Sequence, residues 1–375
     1  MRSVDPSDLS ALPTLDDSGV LLHIGVHKTG TTALQESFWL ARQELQEQSV
    51  LFRGPRSWRP VSLMDVYNGS NRRLAAEASK TWRKLREAVQ GFEGRAFVSS
   101  ESLCMADDIQ ARDIVERLGN GRRVAVLITA RAIAQLLPSQ WQQLLKRGQC
   151  ADFDTWLREV WAEPRPADHL FWCRFTFAAL ISRWSEVVGE DNVHFVMTDR
   201  GDPDRAIRVA EHLLEVRSGT VALAGAKRVN SSMSFTEAEF LRQVNLALVP
   251  AKLSRSEYKS VMRLGAFAAR RRPEEPRVDP IPLPSWAAEL AVSEALRQQR
   301  DISRTGAWAI GEIAGLGAPY SPVVDQMVSP EMVPMQTATQ AVVGTVLSKT
   351  PGARRKRATL RERLGEVKRS LKPQK

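Results

Sequence analysis

Residues 21–32 read LLHIGVHKTGTT, and the fold turns on this stretch. An apolar run, 20–24, enters Gly25, and a second glycine, Gly30, stands five residues on. From Thr31 to Gln48 the apolar Leu34, Phe38 and Leu45 fall on one side of a predicted helix. Strand, glycine turn and helix make the setting of a phosphate-cradling loop, whose usual form is Gly-x4-Gly-Lys-Ser/Thr. Here Thr31 occupies the lysine position, Thr32 keeps the final hydroxyl, and Lys28 sits three residues earlier, inside the loop. Backbone N–H groups around Lys28, Thr29, Gly30, Thr31 and Thr32 suit an anion, and the start of a helix adds partial positive charge. The two threonine hydroxyls can donate to phosphate oxygens. Lys28 can reach a bridging oxygen on which charge develops. The plainer reading, a glycine turn running into a capping threonine, accounts for one glycine and not for the ordered combination.

Outward from this loop, strand and helix alternate. Strands are expected at 20–24, 96–99, 123–129 and 193–198. Helices are expected at 31–48, 74–89, 109–118, 133–147, 153–160, 175–188 and 206–215, with Pro138 bending the fourth or marking its start. Such alternation predicts an α/β fold, an open and mostly parallel sheet flanked by helices. Residues 51–73 are rich in Arg, Gly, Pro and Ser and read as loop. The later chain is mainly helical, at 234–246, 254–269 and 286–300, with a charged, proline-rich crossing over 270–284. The expected division is a flexible 1–19, a main domain over 20–250, a helical extension over 251–318, and an irregular segment with a basic tail over 319–375.

Composition sets bounds. At 375 residues and 43% hydrophobic content, one large α/β domain with additions can bury a core. No apolar run approaches the about 20 residues of a membrane-spanning helix, and 1–19 does not read as a signal peptide. Three scattered cysteines point to a reducing, cytoplasmic interior. The net charge of +10 is uneven: residues 354–375 hold ten Lys/Arg against two Glu, which leaves +2 for the rest. That tail reads as a solvated extension. Its functional alternative is contact with an anionic surface, including peripheral membrane association through an amphipathic basic helix. No specific nucleic acid is expected.

A second phosphate-binding element lies at 124–148, VAVLITARAIAQLLPSQWQQLLKRG. Arg131 closes a predicted central strand and Ser139 follows eight residues later on the next helix. A guanidinium fork and a hydroxyl make a reasonable phosphate clamp.

Together the two elements resemble sulfotransferases that use 3′-phosphoadenosine 5′-phosphosulfate (PAPS). Lys28-Thr29-Gly30-Thr31-Thr32 matches that family's Lys-x-Gly-Thr-Thr loop, and Arg131 with Ser139 matches its pair for the donor's 3′-phosphate. Ala130-Arg131-Ala132 departs from the family's frequent Arg-Asp-Pro. The longer frame, with LHIGVHKTGTTALQ, SSES and NSSMSFTEAEFLRQVN, resembles a bacterial carbohydrate and small-molecule subgroup over about 20–250, with weaker support over 286–317. The resemblance implies a P-loop NTPase-like central parallel sheet and PAPS as donor co-substrate. It also implies a late basic loop over the adenine and 3′-phosphate, for which Lys227 and Arg228 are the candidates. The acceptor class it implies is a small molecule, carbohydrate or lipid.

Sulfuryl transfer needs a base near the acceptor oxygen and positive charge near the leaving phosphate, and in principle no metal. Lys28 is the candidate for the second role. Glu101, just beyond the strand at 96–99, and His27, beside Lys28, are the candidates for the first; Glu101 also has a plain reading as a helix-capping carboxylate. His23, inside the first strand, reads as structural. Trp39, Trp58, Trp82, Trp141 and Trp172 divide between core positions and stacking platforms for an acceptor. Two other functions fit parts of the pattern: a magnesium-dependent kinase-like phosphotransferase, for which Asp199 after a strand is the candidate acid, and a non-catalytic anion- or membrane-binding protein acting through the tail.

Overall fold

The computed structural model describes residues 1–54, 72–165, 169–224, 233–251, Tyr258, 279–332 and Ala338, with backbone alone over 72–79. The expected helix at 254–269 lies outside these residues except at Tyr258, and Trp58, Lys227, Arg228 and the basic tail lie wholly outside them. The chain divides into two units. The first comprises Met1–Leu137, Arg158–Arg228 and Ser285–Ser321; the second comprises Pro138–Leu157, Val229–Pro284 and Pro322–Lys375.

The first unit holds a sheet of seven strands, all parallel. In chain order they are β1 (Arg2–Val4), β2 (Val20–Gly25), β3 (Val50–Arg53), β4 (Arg95–Ser99), β5 (Val124–Ala130), β6 (Val193–Met197) and β8 (Trp308–Ile310). Across the sheet the order is β1-β8-β6-β5-β2-β4-β3. Strands β2, β4, β5 and β6 are buried along their whole length, as parallel strands covered on both faces should be. The fold class is therefore α/β with a parallel central sheet flanked by helices.

Helix α1 (Thr31–Leu40) follows β2 and buries Leu34 and Phe38. The Phe38 ring lies 4.6 Å from that of Phe97 on β4 and 5.6 Å from that of Phe52 on β3, so three rings fix the helix against the sheet. A separate helix, α2 (Arg42–Glu47), follows a break at Ala41, which divides the single helix expected over 31–48. Helix α3 (Arg72–Gln90) leads to β4, and α4 (Asp108–Gly119) starts at a capping box in which Asp107 and Gln110 satisfy each other's amides. Helix α5 (Ile133–Leu145) runs on through Pro138, so the proline does not mark its start. Helix α6 (Phe153–Val160) matches its expected span, whereas the one at 175–188 becomes α7 (Leu170–Phe175) and α8 (Phe177–Val188). Helix α9 (Arg205–Leu213) follows β6.

Three expectations are corrected. Residues 1–19, expected to be flexible, carry β1 and bury Leu12 and Leu15; Arg95 donates to the Leu15 carbonyl at 3.1 Å and pairs with Asp17 and Glu215. The loop expected over 51–73 begins instead with the end of β3, whose Val50 and Phe52 face the core. Strand β8 joins the same sheet, within the 251–318 stretch expected to be a helical extension.

Within the second unit, α10 (Phe235–Leu248) begins at a capping box of Ser234 and Glu237. Asn245 on this helix donates to the carbonyls of Leu145 and Gln149, and Trp141 donates to that of Ala151 at 3.1 Å. Strand β7 (Leu283–Pro284) pairs in parallel with β9 (Val323–Val324). Helix α11 (Ser285–Ser303) belongs to the first unit, where buried Gln298 bonds both the amide of Phe177 and the carbonyl of Phe175. Among the described residues no helix is long and apolar enough to cross a membrane. No disulfide joins Cys104, Cys150 and Cys173.

Candidate functional site

The sheet topology selects a place for chemistry. The connection after β2 leads to β3 on one side of it, and the connection after β5 leads to β6 on the other. Their carboxyl ends therefore form a topological switch point, where open α/β sheets bind ligands. Gly25 and Arg131 stand at those two ends.

The loop that leaves β2 needs unusual backbone. Gly25 has φ 91° and Gly30 has φ 87°, both in the region that glycine enters without steric cost. Lys28 has φ 70°, a left-handed value uncommon for a residue with a Cβ. Gly30 caps α1 without a side-chain hydrogen bond. The first amides of a helix have no partners within it, so those of Thr31 and Thr32 suit an anion by position. Thr32 is exposed, whereas Thr31 is buried. Thr29 is also buried, and its hydroxyl donates to the Val26 carbonyl at 2.7 Å, so its side chain holds the loop.

The two candidate bases are neighbours. His27 Nδ1 lies 3.9 Å from Glu101 Oε1, with both side chains partly exposed. Glu101 opens a 3-10 turn, Glu101–Met105, directly after β4. A Cβ on Gly25 would sit 2.9 Å from the Glu101 Cβ, so the missing side chain lets the carboxylate-bearing turn approach the loop. Glu101 Oε2 accepts from Gln35 Nε2 at 3.1 Å. Cys104 in the same turn donates to the Glu101 carbonyl at 3.0 Å; burial pushes its thiol up to about 12, which marks it as packing rather than as a nucleophile.

A line of buried polar groups runs beneath the loop. Gln35 Nε2 also donates to Ser99 Oγ at 3.1 Å, and Ser99 Oγ lies 2.7 Å from His23 Nδ1. His23 Nε2 lies 3.3 Å from Thr129 Oγ1, which lies 2.6 Å from Thr29 Oγ1. Sequence reasoning did not assign Gln35, Ser99 or Thr129 to the site. Their signal was present: each of three apolar strands carries a polar residue near its end, and α1 has a glutamine beside buried Leu34.

Arg131 leaves β5 as expected and donates through Nε to Gln135 at 2.6 Å. Ser139 belongs to the second unit, where it sits half-buried on α5, one residue after Pro138. In the first unit, the Ala224 amide donates to Ser37 of α1 at 2.7 Å, a few residues before Lys227 and Arg228. Asp199 pairs with Arg205 at 3.7 Å and accepts from the Gly201 amide. Among the described residues no group of three or more His, Cys, Asp or Glu side chains gathers as a metal set. Trp82, Trp141 and Trp172 are buried in the packing, and Trp39 lies under the Arg42 guanidinium at 4.5 Å.

No family model matches the chain, and no curated protein matches it. Among solved structures, a sulfotransferase from Alicyclobacillus acidocaldarius matches with 16% identity and a TM-score of 0.38, over 62% of this chain and 94% of that one. A likeness of that degree carries no activity across to this chain.

Proposed function

We propose that the protein is a sulfotransferase that moves a sulfuryl group from PAPS to a hydroxyl or amine. The observation that carries this reading is the joining of the Lys28-Thr29-Gly30-Thr31-Thr32 loop to the His27–Glu101 pair at one end of the sheet. The sequence motif supplies the donor site, and the 3.9 Å separation supplies a proton acceptor beside it. In this reading the acceptor oxygen attacks sulfur while the sulfur–oxygen bond to the 5′-phosphate breaks. The acceptor's proton passes to Glu101 or His27, and 3′-phosphoadenosine 5′-phosphate leaves. Lys28 and the first amides of α1 stabilise the charge growing on that phosphate. Arg131, Ser139, Lys227 and Arg228 hold the 3′-phosphate end. The acceptor is a small molecule, carbohydrate or lipid, and the reaction belongs to the cytoplasm.

Calorimetric titration with 3′-phosphoadenosine 5′-phosphate, without magnesium and against ATP, tests the donor assignment. Lys28→Ala and Arg131→Ala should each weaken binding about 10- to 100-fold, the worth of a charged hydrogen bond. Glu101→Gln should leave binding near the wild-type value. Absence of binding by folded protein, or ATP preference that requires magnesium, overturns the reading in favour of a phosphotransferase or a non-catalytic anion binder.

A further inference from the structure

The buried line from Glu101 to Val26 has a determined direction. The Val26 carbonyl can only accept, so the single hydroxyl proton of Thr29 points to it. Thr29 Oγ1 must then accept from Thr129. With its own proton so placed, Thr129 must accept from His23, which puts a hydrogen on Nε2. A neutral imidazole then has a bare Nδ1, which accepts from Ser99. Ser99 in turn accepts from Gln35, whose other amide hydrogen goes to the Glu101 carboxylate. The opposite tautomer would set a bare Nε2 against the Thr129 oxygen at 3.3 Å or, with the Thr129 proton turned to it, lone pairs against lone pairs at 2.6–2.7 Å among Thr129, Thr29 and Val26. Turning the Gln35 amide over would set its oxygen against the carboxylate. For a neutral ring, only this arrangement gives every contact in the line one proton.

We infer that His23 is a positioning residue: as the neutral Nε2–H tautomer it ties the Glu101 carboxylate to the phosphate loop, so that the two halves of the site hold one geometry. Its ring is fully buried, and desolvation lowers it to about 3, consistent with a ring that stays neutral through the working range. The functional part of this inference rests on the sulfotransferase reading; the tautomer and the mechanical link do not.

Three measurements decide it. In full-length protein carrying nitrogen-15 histidine, long-range proton–nitrogen spectra should show His23, one of five histidines, as the Nε2–H form without titration from about pH 5 to 8. Ser99→Ala, on the Glu101 side, should speed amide exchange in residues 26–32, and so should Thr129→Val. Both should weaken 3′-phosphoadenosine 5′-phosphate binding about 3- to 10-fold, the worth of one hydrogen bond. The double variant should be no weaker than the weaker single one, and Thr129→Ser, which keeps the hydroxyl, should restore binding and slow exchange even if the valine variant folds poorly. An Nδ1–H or charged ring, loop exchange unmoved by Ser99→Ala, or fully additive losses overturns the inference. Should wild-type protein bind no nucleotide, the donor assignment fails, while the spectra and exchange rates still decide the role of His23.

Discussion

His23 on β2 and His194 on β6 flank Leu127 of the intervening β5, and both are buried and lowered to about 3 by desolvation; Arg123 and His212 add to the shift at His194. An unfolded chain binds protons at both rings near the ordinary value of about 6.5, while the folded chain does not. Their contribution to stability is therefore complete above about pH 6.5 and is lost as pH falls from there toward 3. The slope is about 1.4 kcal/mol per pH unit for each ring. Urea unfolding at a series of pH values should show this decline, and His194→Phe should reduce the slope by about half. A slope unchanged in that variant would place the acid sensitivity elsewhere. At this scale the reacting candidates were legible, because Lys28, Thr31 and Thr32 fall within one five-residue run and Glu101 stands just beyond a predicted strand. The supporting groups were not. Gln35, Ser99 and Thr129 acquire meaning only from strand register, with His23 opposite Ser99 on one side and Leu127 on the other.

Among the elements, the loop between β2 and α1 combines tight approach with left-handed backbone. Gly25→Ala would force a side chain into φ 91° and against the Glu101 Cβ at 2.9 Å. The expected cost is about 1–3 kcal/mol, with a matching fall in denaturation midpoint. Gly30→Ala meets no atom within 4 Å and is strained through φ alone, so it should cost less; equal losses would refute the role given to the Glu101 contact. The strands β2, β4, β5 and β6 were readable because buried parallel strands are short, nearly continuous apolar runs. Strands β1 and β8 have three residues each and β3 has four, too few for a period to emerge. The break between α1 and α2 falls at Ala41, a residue with the highest helix propensity, so only tertiary packing could reveal it.

For the whole molecule, most of the net charge lies in residues 354–375, whereas the donor-site candidates lie before residue 230. Removing 354–375 should leave 3′-phosphoadenosine 5′-phosphate binding within about twofold, since none of the donor-site candidates lies in that stretch and surface charge is largely screened at physiological salt. The same truncation should abolish any salt-sensitive attachment to vesicles containing anionic lipid. Loss of nucleotide binding on truncation would instead make the tail part of the donor site.

An edge strand of the sheet, Arg2–Val4, takes its partner from Trp308–Ile310, about 300 residues later in the sequence. During synthesis residues 2–4 must wait for residues 308–310. At about 5–20 residues per second, some 300 residues take roughly 15–60 s. Through that interval the nascent chain carries an incomplete sheet whose next edge, β6, also lacks β8. Such an unpaired edge is a template for association with other chains. Chaperone demand and the yield of soluble protein are therefore expected to respond to changes at residues 2–4 and 308–310, remote from the chemistry.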